Sequence, residues 1–366
     1  MRSDHQIMRR NHSCFRPSLP QWLSLAAVVL MASPCFAGTW TILDCPGAAN
    51  AFYKGTLPAA INEAGVVVGS FRDAIGANHG FQYAAGHYTV LNAPGAGTRA
   101  LQGTQAVAIN SRGDILGYFM DSNFVYHGFL FAKGRYRILD APGAGTGSFL
   151  GTQPCAINDH GQIAGYYVNA ANHDKGFVYV KRQYTLLEVA GASDTVVGRG
   201  KSINNRGEII GNFEDANGRI HGFRYDAGKY RIVDAPSDNH TFCMAINERG
   251  WITGYNQDVD GILHGFLFGA KQNTVLDAPC AGSGYQRGTM TWAVNNLGYV
   301  AGRYTDTNYV SHGLVYMAGK YRVLNAPNAG TSQYQGTSAT GINGHDQVTG
   351  SYYDANDVIH GFIYHK

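Results

Sequence analysis

The sequence predicts an all-β fold, a seven-bladed β-propeller with four antiparallel strands per blade, its ring closed by the N-terminal strand pairing with the C-terminal blade. Three observations predict it. An Asn preceded by Ile or Val recurs at Asn62, Asn110, Asn158, Asn204, Asn247, Asn295 and Asn343, in steps of 48, 48, 46, 43, 48 and 48 residues. A Gly follows every anchor by seven positions: Gly69, Gly117, Gly165, Gly211, Gly254, Gly302 and Gly350. Each period holds four short β-rich segments bounded by turn residues, which suits a propeller blade better than a solenoid coil.

The elements follow in chain order. Arg2, Arg9, Arg10 and Arg16 precede the apolar run "WLSLAAVVLMA" (22–32), and "CFA" ends in small residues, so 1–37 is expected to be a cleaved export signal. Eleven apolar residues are too few to cross a bilayer, which takes about 20. Cleavage removes four Arg and one Asp, and the formal charge falls from +3 to 0. A neutral mature chain has no basic face for nucleic acid or an anionic membrane, so neither is expected as a partner, and no membrane insertion is expected after cleavage. The protein is therefore expected to be secreted or periplasmic, as a single domain over 38–366 and as a monomer.

Within a unit the four segments are named a to d, as in "QAVAIN", "DILGYFM", "HGFLFA" and "RYRILDAP". The N-x-x-G between a and b is a tight turn where Gly takes positive φ cheaply. Segment d occurs seven times, but the first copy, "WTILDCPG" (40–47), precedes the first a, b, c set, and the chain ends on a c segment, "HGFIYHK". Pairing the two ends would cover strand edges that otherwise template aggregation.

An acidic residue stands eleven positions after the anchor in six units (Asp73, Asp121, Asp215, Asp258, Asp306, Asp354), with Asn169 in the third. His stands at seventeen in the same six (His79, His127, His221, His264, His312, His360), with Lys175 in the third. Six His at one repeat position invite a metal reading, but copies of one position lie on a circle, too far apart to share an ion. Asp and His instead bracket the b–c hairpin, where a hydrogen bond between them would pin its ends. The hairpins "DANG", "DVDG" and "DAND" lack a full calcium-loop pattern and read as ordinary turns. No metal and no cofactor are expected.

The pattern "IN..G...G......D.....HGF" resembles the HAF repeats of bacterial secreted proteins, with His-Gly-Phe where those have His-Ala-Phe. The resemblance covers 38–366. It implies an exported β-repeat protein, and because the family shares no common activity, it carries no catalytic residue to this chain.

Cys45, Cys155, Cys243 and Cys280 remain after cleavage; disulfides and buried thiols are both open. No G-x-S-x-G elbow, HExxH pair, Walker loop or GxGxxG stands in a fitting context. The non-repeated His173, Glu188 and His240 are the residues available to a catalytic reading.

The d–a connections are unequal. From the end of segment d to the next anchor they span 18 residues after Asp44, Asn92, Asp140, Asp277 and Asn325, but 16 after Glu188 and 13 after Asp234. Two clipped loops among five tall ones should leave a notch over the fourth and fifth units. Arg199, Lys201, Asp238, His240 and Phe242 belong to it, with Tyr285, Arg287, Trp292 and Tyr334 flanking it. Trp40, Tyr88, Tyr136, Tyr184, Tyr230 and Tyr321 on segment d are expected to pack within blades, whereas Tyr53, Phe149, Tyr285 and Tyr334 on tall loops suit stacking on a ligand. The expected function is a binding or scaffold module for a glycan, peptide or protein at the long-loop face. The alternatives are a secreted polysaccharide hydrolase or lyase at the same face, and a structural envelope or matrix protein.

Overall fold

The computed structural model describes residues 38–198, 201–236, 239–269 and 273–366. The expected signal 1–37 and the notch residues Arg199 and Asp238 lie outside them. Twenty-eight strands and no helix occur among the described residues.

The expectation of seven separate four-stranded blades in a closed ring is corrected. The strands are hydrogen-bonded into two twelve-stranded sheets and one four-stranded sheet. One large sheet holds Thr39–Leu43 and the strands from His240–Ile246 to Ile359–His365; the other runs from Thr56–Ile61 to Gln183–Leu187; the small one comprises Asp194–Val197 to Lys229–Ile232.

The loops explain two of the three boundaries, those on either side of the small sheet. At all five tall loops a Gly before or opening strand a makes a parallel bridge to a strand c: Asn78 to Gly103, Tyr126 to Gly151, Leu263 to Gly288, Ser311 to Gly336 and, as an isolated bridge between the two large sheets, Ile359 to Gly55. The approach requires Gly, since a Cβ on Gly103, at φ +102°, would lie 2.0 Å from the Asn78 carbonyl oxygen. The two clipped loops lack this Gly, and a side chain takes over. The Asp174 N–H donates to Asp194 Oδ1 at 2.7 Å, and the Ile220 N–H to His240 Nδ1 at 3.1 Å. A side-chain acceptor satisfies the donor without continuing the ladder, so the sheet breaks at both places.

Thr39–Leu43 pairs antiparallel with Ile359–His365, from Thr39 opposite His365 to Leu43 opposite Gly361. Trp40 packs edge-on to Phe362 and Tyr364, each 5.0 Å away. Leu43 is fully buried against Ile61, Val67, Phe71 and Phe81.

The anchor Asn shapes its own turn and holds the next unit. Asn62 Oδ1 accepts the N–H groups of Ala64 and Val66 at 3.1 and 3.0 Å, while its Nδ2 donates to the Asn110 carbonyl at 3.1 Å. The same donation runs from Asn110 to Asn158, Asn204, Asn247, Asn295 and Asn343, and from Asn343 to Asn62. All seven side chains are buried, so each amide's polar demand has to be met inside the protein. A buried Thr adds a second pin: the Ala93 N–H at the end of one strand d donates to Thr104 Oγ1 at 2.9 Å, and Thr152, Thr289 and Thr337 repeat the contact.

In six of the seven units the Gly seven residues after the anchor faces a bulge in strand a. A Cβ on Gly254 would lie 1.9 Å from the Phe242 oxygen and 2.8 Å from the Phe266 ring. That ring is fully buried, as are its counterparts Phe81, Phe129, Phe177, Phe223 and Phe362. The strand-d aromatics pack inward, as with Tyr88 against Phe81 and Tyr83, and Tyr136 against Phe129 and Phe131. Among the described residues no disulfide joins the four cysteines, of which three are buried and Cys280 is exposed, and burial pushes the Cys45 thiol up to about 12.

Candidate functional site: an aromatic cavity with one cation

Position eight after each anchor sits opposite strand a, giving the cross-strand pairs Gln105/Tyr118, Gln153/Tyr166, Phe242/Tyr255 and Met290/Arg303. The first two pairs carry hydrogen bonds from Tyr hydroxyl to Gln Oε1 at 3.2 and 3.1 Å. In the fifth unit two rings stack instead, Phe242 on Tyr255 at 4.8 Å. The sixth unit places Met290 and Arg303 there.

These last two pairs form part of the wall of a cavity of about 630 Å³. Tyr53, Tyr285 and Tyr334 from tall loops line it, with Tyr309 and Tyr353, and the polar contributions come from Gln257, Gln286, Thr305 and Ser311. Its size falls within the roughly 300–1,000 Å³ usual for small-ligand sites. The loop residues are held without being buried. The Tyr334 N–H donates to the Tyr309 carbonyl at 2.9 Å and the Tyr53 N–H to that of Asp357 at 2.9 Å, while Tyr285 and Tyr334 remain 63% exposed. Tyr53 and Tyr334 take positive φ, 54° and 68°. Leu101 and Phe149 occupy the same loop position with the same backbone, so this strain belongs to the tall-loop design rather than to the cavity alone.

Arg303 is the one charged residue among those lining the cavity. Among the described residues its Nη2 reaches only the Met290 sulfur, at 3.7 Å, and its buried Nε has no partner. Burial pulls its pKa down, while the phenols of Tyr353 and Tyr255 act in the opposite sense. Burial likewise raises the Tyr255 and Tyr353 hydroxyls, against the pull of Arg303.

The notch residues of the sequence expectation are dispersed. Tyr285, Tyr334 and Phe242 line the cavity. Arg287 lies behind its wall, with Nη1 donating to the Thr307 carbonyl at 2.8 Å and the guanidinium 4.7 Å over the Tyr309 ring. Trp292 lies deeper, in a second cavity of about 300 Å³ with Pro58, Pro154 and Met244, and meets Tyr255 edge-on at 5.7 Å. His240 serves the clipped loop as the acceptor for Ile220. Lys201 is at the far end of the strands, beside the Asn turns, 4.0 Å from Glu63 and near Asp159 and Glu248. The notch is thus not one site, and the cavity is centred on the sixth unit.

The repeated Asp and His meet: His79 Nε2 is 3.2 Å from Asp73, and His127, His221, His264, His312 and His360 lie 3.4 to 3.8 Å from Asp121, Asp215, Asp258, Asp306 and Asp354. Each His Nδ1 also reaches the residue ending strand d, for example Asp140 at 3.1 Å and Asp234 at 2.7 Å. Five of the six rings stack on a strand-b aromatic, as His79 does on Phe71, whereas His264 faces Asn256. In the third unit Lys175 pairs with Glu188 at 2.9 Å instead. No group of three or more His, Cys, Asp or Glu among the described residues is placed to hold a metal ion.

Sequence reasoning missed Tyr255, Arg303, Tyr309 and Tyr353. The signal for Arg303 was present: position eight reads Ser70, Tyr118, Tyr166, Asn212, Tyr255, Arg303 and Ser351, and Arg303 alone is charged.

No family model matches the chain, and no curated protein matches it. Among solved structures, the BP39L lectin of Burkholderia pseudomallei is similar at 11% identity and a TM-score of 0.51, over 87% of this chain and 96% of that one. A lectin of Aleuria aurantia, a six-bladed β-propeller that recognises fucose, matches at 12% identity and a TM-score of 0.42, over 78% and 96%. TolB of Acinetobacter baumannii matches at 10% identity and 0.48, over 82% and 64%. At such identities the BP39L likeness is one of fold.

Proposed function

We propose that this protein is a binding module that takes an oligosaccharide in the aromatic cavity. One observation carries the reading: seven aromatic rings surround a site whose other lining groups are mainly amides and hydroxyls, with no Asp or Glu among them. Sugar rings offer C–H faces that lie on aromatic rings and hydroxyls that pair with amides, and this wall supplies both. The lectin of like fold adds by analogy that such an architecture can carry a sugar site. Export, expected from 1–37, would bring the cavity to extracellular glycans.

Hydrolysis or elimination of a polysaccharide is the lesser reading. Paired carboxylates are absent from the wall, and burial keeps the Tyr255 and Tyr353 phenols protonated well above neutral pH, which makes them poor bases.

A glycan array probed with the purified protein, followed by calorimetry on the hits, tests the proposal. Tyr285→Ala with Tyr334→Ala should weaken binding about tenfold or more, the loss expected from two contact residues worth about 1 kcal/mol each. Undiminished binding by the double variant would move the site elsewhere, and an array without any bound glycan would end the carbohydrate reading.

A further inference from the structure

We propose that the sugar taken by the cavity is acidic, a uronic acid whose carboxylate is met by the Arg303 guanidinium. This deepens the carbohydrate-binding reading and rests on it. Three observations on Arg303 carry it. It is the single charged residue in the wall, so the cavity holds one positive charge with no countercharge. No carboxylate pairs with it among the described residues, and the strongest acceptor at its guanidinium is a thioether sulfur 3.7 Å away. Its Nε is buried without a partner.

A cation set into an aromatic wall without an anion is an arrangement that proteins avoid unless the charge is used, because desolvation is left uncompensated. The planar guanidinium matches a carboxylate with two parallel charge-assisted hydrogen bonds, about twice as strong as those it makes to neutral sugar hydroxyls or to water. Position eight in the other units carries Ser, Tyr or Asn, so nothing in the repeat demands Arg at this place. The Tyr255 and Tyr353 hydroxyls, kept protonated, do not compete as anions for the guanidinium.

Calorimetry with the purified protein tests this, using tetrasaccharides of galacturonate, glucuronate and mannuronate beside the carboxyl-reduced counterpart of each. At least one acid should bind about ten- to hundredfold more tightly than its reduced form, the range expected for hydrogen bonds to a charged group. Arg303→Gln should remove that difference while leaving the reduced sugar's affinity within about twofold, and Arg303→Lys should restore only part of it. Neutral sugars bound with no preference for any acid would overturn this inference and leave the carbohydrate reading standing, whereas no binding of any sugar would overturn both. An acid preference that survives in Arg303→Gln would also overturn it, as would equal, Arg303-dependent binding of a sulfated neutral tetrasaccharide. Should Arg303→Gln fail to fold, the comparison of acid and reduced sugar on the unaltered protein still decides.

Discussion

Asn343 and Asn62 are 281 residues apart in the chain, and the Asn343 Nδ2 donates to the Asn62 carbonyl at 3.0 Å. The contact is chemically the same as those between neighbouring units, such as Asn295 to Asn343 at 3.0 Å. One side-chain type therefore serves both local turn formation and a contact between the first and last units.

Replacing Asn343 by Ala removes one of two donors to the Asn62 carbonyl, which keeps the Gly65 N–H, and leaves the N–H groups of His345 and Gln347 without their acceptor. Stability should fall by about 1–3 kcal/mol per group left unsatisfied, read by urea denaturation. A loss below about 0.5 kcal/mol would show that water or a backbone shift replaces the amide.

Leu43 lies on the strand that pairs with Ile359–His365 and is fully buried. Leu43→Ala should cost about 2–5 kcal/mol, as for other core truncations. Deleting 38–46 should go further and expose the Ile359–His365 edge, giving concentration-dependent association in light scattering. A soluble deletion variant of unchanged melting temperature would mean that this strand is dispensable.

At Gly254 an added methyl group would lie 1.9 Å from the Phe242 oxygen, and backbone cannot yield as a flexible side chain does. Gly254→Ala should destabilise by about 1–3 kcal/mol through overpacking and should displace the Phe242/Tyr255 stack in the cavity wall. Gly86→Ala, where a Cβ has nothing within 4 Å but φ is +86°, separates backbone strain from steric overlap. Equal losses in the two variants would show that the overlap is unimportant.

His360 lies between Asp44, 2.8 Å from Nδ1, and Asp354, 3.6 Å from Nε2. The hydrogen bond to Asp44, outweighing burial, raises the His360 pKa above its ordinary 6.5. Its stabilisation is therefore complete below about pH 6.5 and disappears as pH rises through the raised value. For Asp354 burial acts upward, yet the N–H groups of Val358 and Asn356 and the nearby His360 outweigh it, and the net shift is below 3.8. That contribution is present above 3.8 and is lost as pH falls through the lowered value. The melting temperature of the natural protein should exceed that of His360→Gln by more at about pH 5.5 than at about pH 8.5. A gap independent of pH would show that the ring acts by stacking on Tyr352 rather than by charge.

Much was legible in the sequence because it depends on near neighbours. The N-x-x-G turns, the Asp-to-His spacing across one hairpin and the four segments per unit are decided within about a dozen residues. Tyr53, Phe149, Tyr285 and Tyr334 stood out as aromatics off the repeat on tall loops; the first, third and fourth line the cavity, whereas Phe149 packs against Phe124. The second partner of the His was harder to read, since it lies across a strand pair, thirteen residues on in five units, as Asp277 does for His264, and 316 residues back for His360, which meets Asp44.

By itself, the sequence determined that the chain is an all-β repeat, where its strands and turns lie, and which aromatics stand free of the repeat, because periodicity and turn chemistry are local. Only the tertiary structure decided that the strands merge into two large sheets and a small one, since that depends on parallel bridges between units, made at Gly103 and replaced by a side chain at His240. It alone placed Lys201 at the end opposite the aromatic cavity, and it alone picked out Arg303, whose meaning comes from the rings and the missing countercharge around it rather than from its neighbours in the chain.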